Sequence, residues 1–376
     1  METLPATKAK TARRSRRRAT HRLRGLPEEI VTWEILVRLP PKDVLRCRAV
    51  CRTWRRVTTA RDFLHAHHGR QPSLHLLYGA GYGGGRRHGD ILAFDNQAAT
   101  TAVQLHTVAR LDEYFNVEAS CDGLLVITGY GKPGTYFSFC CNPVTRQYVP
   151  IEIEGDLYIM GMYSHRPTGE YRLLLQRRYT DFPERRMGFY VYLLGSNQPP
   201  RYIGCRDTAL GPFSVPARAH DSMHWYKTKS QVIIVFNTIA ESFKQMRAPA
   251  VQSNQHTPHI FETDGTLGIH CRDIAMHTIN IWVMQNYEDE VWDLKYQIRL
   301  PIAEIKGQLE DCDAYFYVNV ALGDGRVFLL VNVGQWVFHI NSDGKLVHSF
   351  RRGVGRLCAY GFRLKQTLIP HTFFRQ

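Results

Sequence analysis

The sequence lacks long apolar runs. No stretch of about eighteen or more apolar residues occurs, so we expect no transmembrane helix and no membrane partner. No apolar core of a secretory signal peptide follows Met1 either. The chain nevertheless has 44% hydrophobic and 11% aromatic residues, which is typical of a globular protein. Its 376 residues allow a small module plus one large domain, or two ordinary domains.

Cysteine is sparse and its count is odd. The nine cysteines are scattered along the chain, which fits a reduced intracellular setting better than a disulfide framework. We therefore expect the protein in the nucleus, the cytoplasm or both. Cys140 and Cys141 are adjacent in a predicted strand, so their side chains should point to opposite faces of a sheet.

Acidic residues are nearly absent from residues 1–24. Nine Lys or Arg stand there against Glu2 alone, so this segment carries +8 of the net charge of +14. With almost no apolar content it predicts a basic disordered tail. The run KAKTARRSRRR fits a nuclear-localisation signal, a non-specific contact with a polyanion, or a solvated extension without function. An organelle transit peptide fits less well, because the segment has no amphipathic apolar stripe.

Recognisable catalytic and cofactor motifs are missing as well. The sequence contains no GxSxG, P-loop or HExxH motif. Gly79, Gly81 and Gly84 spell GxGxxG after an apolar strand, but no helical pattern follows, and a dinucleotide site needs that helix. We predict a loop there, no catalytic residue and no cofactor.

One set of residues approaches the spacing of a zinc finger. Cys47, Cys51, His65 and His68 are spaced almost as two Cys and two His ligands would be. The two cysteines fall in a helical pattern, whereas the finger places them in a β-hairpin, and the histidine spacing is one residue short. We therefore predict no metal site.

What the sequence does contain, at residues 26–63, is the pattern of three short helices. Pro27 suits the first turn of a helix, and Pro40 ends that helix because the residue before a proline avoids the helical region. Asp43 is the expected N-cap of a second helix, and Val50 and Trp54 begin a third apolar stripe. A module of ~40 residues rarely stabilises itself, so we interpret it as a docking surface for another protein.

The helical spacing also predicts which side chains share a face. The first predicted helix has two neighbouring stripes, which are Ile30, Trp33 and Val37, then Val31, Ile35 and Leu39. Four basic residues of the following helices should be free to reach solvent, namely Arg48, Arg52, Arg55 and Arg56.

The same segment resembles the F-box, a trihelical motif that binds the Skp-type adaptor of SCF ubiquitin ligases. The matching positions are Leu26-Pro27, Glu34-Ile35-Leu36, Arg38-Leu39-Pro40, Lys42, Leu45, Arg48, Val50-Cys51, Arg52, Trp54 and Phe63. The resemblance implies a Skp-type adaptor as partner and, through it, cullin and RING subunits. It implies adaptor-binding roles for Leu26, Pro27, Ile30, Ile35, Leu36, Leu39, Pro40, Leu45, Val50, Cys51 and Trp54. The alternative is a small helical cap whose apolar residues pack on the rest of the chain.

After a polar segment at residues 65–72, the pattern changes to short β-type runs that repeat. Each run ends in a polar turn, and the turn positions are Asp95, Asn142, Ser196, Asn237, Asn286 and Asn341. The intervals between them run from 41 to 55 residues, in the range of ~50 residues for one propeller blade. We predict a propeller-like domain of about six blades, with residues 357–369 closing the ring against the first blade. Five or seven blades, a large β-sandwich or two sheet domains are the alternatives.

This region resembles the plant F-box-associated domain. The resemblance rests on Ser120-Cys121-Asp122-Gly123-Leu124-Leu125, Asn142-Pro143-Val144-Thr145-Arg146, Met223-His224-Trp225, Val235-Phe236-Asn237 and Ile281-Trp282-Val283-Met284. It implies a propeller-like fold. The predicted fold class is therefore α+β and multidomain. We expect a tail at 1–24, an F-box at 25–64, a hinge at 65–72 and the all-β domain at 73–376.

These features predict a non-catalytic subunit of an SCF-type cullin–RING E3 ubiquitin ligase, in which the F-box binds the adaptor and the β domain binds an unknown protein target. A propeller enzyme or a carbohydrate-binding lectin with an incidental helical cap is the alternative. A nucleic-acid binder driven by the basic tail is a third and disfavoured hypothesis. The candidate target-binding loops, chosen for length and polarity, are Gly79–Asp90, Tyr179–Arg186 and Glu241–Thr257. His224, beside Trp225, is interpreted as a packed strand residue and not as a general base.

Overall fold

The computed structural model describes most of the chain after the basic tail. The described residues are 26–83, 86–95, 104–112, 114–131, 135–179, 186–204, 210, 215–251, 258–263, 265–309, 316–323, 326–351 and 358–374. The predicted tail of residues 1–24 lies outside them and stays a prediction. No helix in these ranges is long and apolar enough to cross a membrane.

The first described residues form a cluster of short helices. These are α1 (Glu28–Ile30), which continues as a π-helical turn (Val31–Ile35) and a 3-10 turn (Leu36–Arg38), then α2 (Pro41–Cys47), α3 (Arg52–Thr59) and α4 (Arg61–Arg70). Leu39 is extended at φ −69° and ψ 149°, so the chain leaves the helix just before Pro40, as predicted.

Two details of this module differ from prediction. Pro40, and not Asp43, is the N-cap residue of α2, because Pro41 with its fixed φ occupies the first helical position. Asp43 lies in the first turn of α2, where its carboxylate accepts a hydrogen bond from Arg46 at 2.8 Å. Residues 65–70, predicted as part of a polar hinge, form the second half of α4. The helix continues because the side chain of His67 is fully buried against the module.

The rest of the chain forms six four-stranded antiparallel sheets. The first contains β1 (Ser73–Gly83), β2 (Arg86–Asp95) and β3 (Gln104–Leu111); the second β4 (Tyr114–Cys121), β5 (Leu124–Tyr130), β6 (Tyr136–Asn142) and β7 (Gln147–Pro150); the third β8 (Leu157–His165), β9 (Glu170–Arg177), β10 (Gly188–Leu193) and β11 (Arg201–Gly204). The fourth contains β12 (Ala217–Ala219), β13 (Ser222–Lys227), β14 (Val232–Asn237) and β15 (Ser242–Arg247); the fifth β16 (His259–Thr263), β17 (Thr266–Asp273), β18 (Thr278–Asn286) and β19 (Val291–Arg299). After α5 (Ile302–Lys306), the sixth contains β20 (Tyr317–Gly323), β21 (Arg326–Val333), β22 (Trp336–Asn341) and β23 (Leu346–Arg351).

The last strand closes the ring. β24 (Cys358–Lys365) joins the first sheet by pairing with β1, so that Ser73 lies opposite Lys365 and Leu74 opposite Leu364. β24 is the edge strand of the first sheet. It contacts β4, the edge strand of the second sheet, and β20, the edge strand of the sixth. The predicted closure by residues 357–369 and the prediction of six blades are both confirmed.

Hydrophobic clusters fill the spaces between neighbouring blades. Six clusters of buried residues occur, one at each of the six junctions between consecutive sheets. β5 shows the reason for its continuous apolar run, because Leu124 and Val126 face the third sheet while Leu125 and Ile127 face the first. Cys140 and Cys141 divide between the same two clusters, which confirms that they point to opposite faces.

Candidate functional site

The helical module has its own hydrophobic core, and the C-terminal segment completes it. The buried members are Val31, Leu36, Val37, Val44, Phe63, Leu64 and, from the far end of the chain, Leu368. Ile369 and Val144, the latter from the turn between β6 and β7, are partly buried against it. The module therefore packs on the second sheet and on the segment that follows β24.

Hydrogen bonds fasten the same junction. A ring nitrogen of His68 lies 3.2 Å from the carbonyl oxygen of Gln366, and Lys365 donates to the Gly69 carbonyl at 3.1 Å. On the propeller side, the Asn142 amide donates to the Thr367 carbonyl at 3.2 Å. The C-terminal segment thus lies between module and propeller and bonds to both.

Two of the motifs that suggested the β domain build this junction. In Ser120–Leu125, Asp122 and Gly123 turn the chain with φ of 49° and 88°. A Cβ on Gly123 would lie 2.6 Å from the Lys365 carbonyl oxygen, so only glycine fits beneath the C-terminal segment. In Asn142–Arg146, the Asn142 side chain accepts from the backbone N–H of Val144 at 3.0 Å, in addition to its bond to the C-terminal segment. These motifs are structural.

The helical module exposes several large apolar side chains. Its large exposed side chains, with exposed fractions, are Leu26 at 49%, Ile30 at 41%, Trp33 at 39%, Ile35 at 41% and Val50 at 64%. Five such side chains within residues 26–50 remain exposed although the core of the module is filled, which makes this segment the candidate interaction surface of the chain.

The π-helical turn decides which side chains face outward. A π turn closes with a hydrogen bond between residues five apart instead of four, so the side chains around it are displaced from ordinary α-helical positions. Val31 and Leu36 are accordingly both buried, while Ile30 and Ile35 are both exposed. The two predicted stripes are therefore wrong: Val37 is fully buried although Ile30 and Trp33 are exposed. The spacing of an ordinary α-helix did not reveal this extra residue in the turn.

The eleven residues with predicted adaptor-binding roles fall into three groups. The exposed ones are Leu26, Pro27, Ile30, Ile35, Pro40, Val50 and Cys51. The partly buried ones are Leu39, Leu45 and Trp54, and the remaining one, Leu36, is 2% exposed and supports the surface from beneath. Trp33, which was not among the eleven, is exposed and packs its ring 6.1 Å from that of Phe63.

Cys51 has a further role that the sequence did not suggest. It is the N-cap residue of α3, and its sulfur accepts from the backbone N–H of Trp54 at 3.4 Å. The exposed pair Val50-Cys51 is therefore held at the start of α3.

Residues that could suggest chemistry elsewhere are held in structural contacts. The ring of His224 is buried beside β12, with Nδ1 3.3 Å from the Ala217 carbonyl and Nε2 2.8 Å from the Tyr287 hydroxyl. Because a carbonyl only accepts, Nδ1 carries the proton and Nε2 accepts from Tyr287. Burial lowers the pKa of His224 to about 4, so the ring is neutral near pH 7. His224 is a packed strand residue, as predicted.

The carboxylate of Glu241 joins two blades. Glu241 accepts from the Tyr163 hydroxyl and from Arg172, each at 2.7 Å, and pairs with Arg201. Burial opposes its ionisation, but these donors outweigh burial and hold the pKa of Glu241 below its ordinary value. An ionised carboxylate saturated by donors locks the third sheet to the fourth.

The remaining sequence predictions concern the GxGxxG glycines, the candidate target-binding loops and a metal site. The loop predicted at Gly79–Asp90 is wrong, because residues 79–83 lie in β1 and residues 86–90 lie in β2, and the two strands pair as a hairpin. Residues 242–247 of the predicted loop Glu241–Thr257 likewise form β15. Gly84 lies outside the described residues, as do 180–185 and 252–257 of the other two candidate target-binding loops. Within the described ranges, no three His, Cys, Asp or Glu side chains are grouped to hold a metal ion.

Comparisons with known proteins match both parts of the chain. The family model of the F-box associated beta propeller domain matches residues 88–345, and an F-box-like model matches residues 23–69. F-box protein At5g49610 of Arabidopsis thaliana is 22% identical over 320 residues, covering 78% of this chain and 85% of its own length. F-box protein At3g07870 of the same plant is 22% identical over 356 residues, covering 85% of this chain and 84% of its own length.

Among solved structures, a chain of a nidogen/laminin complex matches 75% of this chain and 95% of its own length. It is 12% identical, with a TM-score of 0.42.

Proposed function

The chain belongs to the plant F-box proteins with an F-box-associated β-propeller domain, and on that premise we propose that it is the substrate-recognition subunit of an SCF-type cullin–RING E3 ubiquitin ligase. The helical module binds a Skp-type adaptor, and through it the cullin and RING subunits. The propeller binds a protein target for ubiquitination.

The observation that carries this proposal is the open apolar surface of the module. Leu26, Ile30 and Val50 expose between 41% and 64% of their surface although the core below them is complete. Removing apolar area from water stabilises a complex by about 25 cal/mol per Å², so these side chains favour a bound partner. Their sequence positions coincide with the F-box motif.

We propose that the chain acts without forming a covalent intermediate. A ligase that carries ubiquitin as a thioester needs an ionised cysteine as nucleophile. Burial raises the pKa of Cys121 to about 12, that of Cys271 to about 11, and that of Cys140 well above its ordinary value. These thiols stay protonated near pH 7, as is typical of cysteines that are packed in a protein interior. Catalysis would then follow from proximity, since the subunit holds a target lysine near the charged conjugating enzyme.

The junction between module and propeller supports the same mechanism. Proximity raises a rate only when the geometry is held, because a loose tether dilutes the target over a large volume. Leu368 in the module core and Asn142 on the propeller fix the C-terminal segment from both sides. This arrangement sets the distance from adaptor to target.

A double substitution tests the proposal. Leu26→Ala with Pro27→Ala removes exposed atoms of the module and leaves its buried core in place. We expect the variant to lose co-purification with a Skp-type adaptor while the propeller keeps its thermal transition. Tyr148→Ala, at a 67% exposed residue of β7, is the matched control and should leave binding unchanged. Adaptor recovery equal to wild type in the double variant would contradict the proposal.

A further inference from the structure

Four arginines gather on one side of the helical module. Arg52, Arg55 and Arg56 lie on α3, and Arg48 follows the last residue of α2. Arg52 shares a helix face with Arg55 and Arg56, three and four residues onward, and Arg48 lies close enough to Arg55 for the two charges to interact. We call these four residues the arginine face. The three residues on α3 are exposed, and Arg48 is half-buried.

The arginine face has no anionic partner in the described part of the chain. The described ion pairs of the module are Glu34 with Arg38 and Asp43 with Arg46. Arg48 donates one N–H to the carbonyl oxygen of Thr58 at 2.9 Å, and this acceptor is neutral. Burial, and after it the neighbouring charge of Arg55, lowers the pKa of Arg48. Arg48 and Arg55 therefore repel each other, and no carboxylate of the described ion pairs offsets that repulsion.

The arginine face adjoins the apolar docking surface. Val50 is the most exposed large apolar side chain of the module at 64%, and Cys51 caps the helix that carries Arg52 and Arg55. A partner that covers Val50 therefore meets the first turn of α3. An apolar centre with a charged rim is the usual anatomy of a protein interface.

Electrostatic complementarity indicates which molecule could bind at the arginine face. The segment outside the described structure, residues 1–24, carries +8 and would be repelled. A second copy of this chain brings a net charge of +14 and the same arginines. The complement of the face is a protein surface rich in Asp and Glu.

We infer that the arginine face receives acidic side chains of the adaptor beside its apolar contact, an inference that rests on the proposed function. The apolar side chains hold the adaptor, and the arginines attract it and fix its register. Charges at the rim of an interface act mainly on the rate of association and on its dependence on salt.

The test compares two charge reversals in the full-length chain. Arg52→Glu with Arg55→Glu reverses the arginine face, while Lys229→Glu with Lys295→Glu makes the same change in net charge on exposed residues of the β13–β14 turn and of β19. Association with a purified plant Skp-type adaptor is followed by stopped-flow or biosensor kinetics between about 50 and 500 mM salt. We expect the arginine variant to associate about tenfold more slowly at low salt and to lose most of its salt dependence. The lysine control should match wild type.

A milder variant distinguishes the effect of lost charge from the effect of misfolding. Arg52→Gln with Arg55→Gln only neutralises the face, and it should give an intermediate rate with an unchanged circular-dichroism spectrum. Equal salt dependence in wild type, arginine variants and control would overturn the inference and leave the proposed function intact. A wild-type chain that fails to bind the adaptor at any salt concentration would overturn both. Loss of binding to a short DNA duplex, with adaptor binding unchanged, would assign the arginine face to nucleic acid instead.

Discussion

An asparagine side chain closes the turn after the third strand in four of the six sheets. The Oδ1 atoms of Asn142, Asn237, Asn286 and Asn341 each accept from backbone N–H groups two to four residues onward, at 2.7 to 3.3 Å. Ser196 does the same with one bond, to Gln198 at 3.0 Å. In such a turn the side-chain oxygen takes the place of a backbone carbonyl as hydrogen-bond acceptor. This explains why Asn and Ser recur at these turns.

Asn142 differs from the others because it is fully buried and also donates to the Thr367 carbonyl. Asn142→Ala should therefore lower the free energy of unfolding by about 2–3 kcal/mol, since it leaves buried backbone groups unpaired. Asn237→Ala, which loses only bonds within an exposed turn, is the control and should cost about 1 kcal/mol. Chemical denaturation of both variants measures the difference. Equal losses would show that the bond to the C-terminal segment contributes nothing.

The helical elements show where prediction from residue spacing succeeds and where it does not. Pro27 and Pro40 act through their own covalent geometry, so the ends of the first helical stretch could be predicted. The π-helical turn at Val31–Ile35 and the continuation of α4 to Arg70 accompany tertiary packing, since Val31 and Leu36 are buried in the module core and His67 is buried against the module. Leu368 is more than 300 residues distant in sequence from the core that it completes, so no local pattern could indicate it.

The C-terminal segment should therefore stabilise the module more than the propeller. Leu368→Ala removes a buried side chain from the module core and should cost about 2–4 kcal/mol locally. Hydrogen exchange should show faster exchange for amides of α2 to α4 and unchanged protection in the fourth and fifth sheets. Leu330→Ala, in the cluster between the sixth and first sheets, is the control; it should speed exchange in those two sheets and leave the amides of α2 to α4 protected. Uniform loss of protection in both variants would contradict a separate role for the segment.

On the scale of the whole molecule, the repeat of polar turns predicted six blades because each blade contributes one such turn after its third strand. The closing strand followed from the same count, since a ring needs an element from the far end of the chain. The target-binding surface could not be predicted, because propeller loops converge in space from distant parts of the sequence. The position of the helical module could be predicted, since the F-box motif lies within residues 26–63.

Together these features describe a connector: a module with an open apolar surface, fixed to a closed propeller by the end of its own chain. We expect the module to bind the adaptor through that surface. The most direct measurement is isothermal titration of the purified full-length chain with a plant Skp-type adaptor, beside Ile30→Ala with Val50→Ala. We predict saturable one-to-one binding by the wild type, weakened about 100-fold or more in the double variant, as loss of two central apolar contacts would give. No binding by the wild type, or equal affinities for both proteins, would contradict the account.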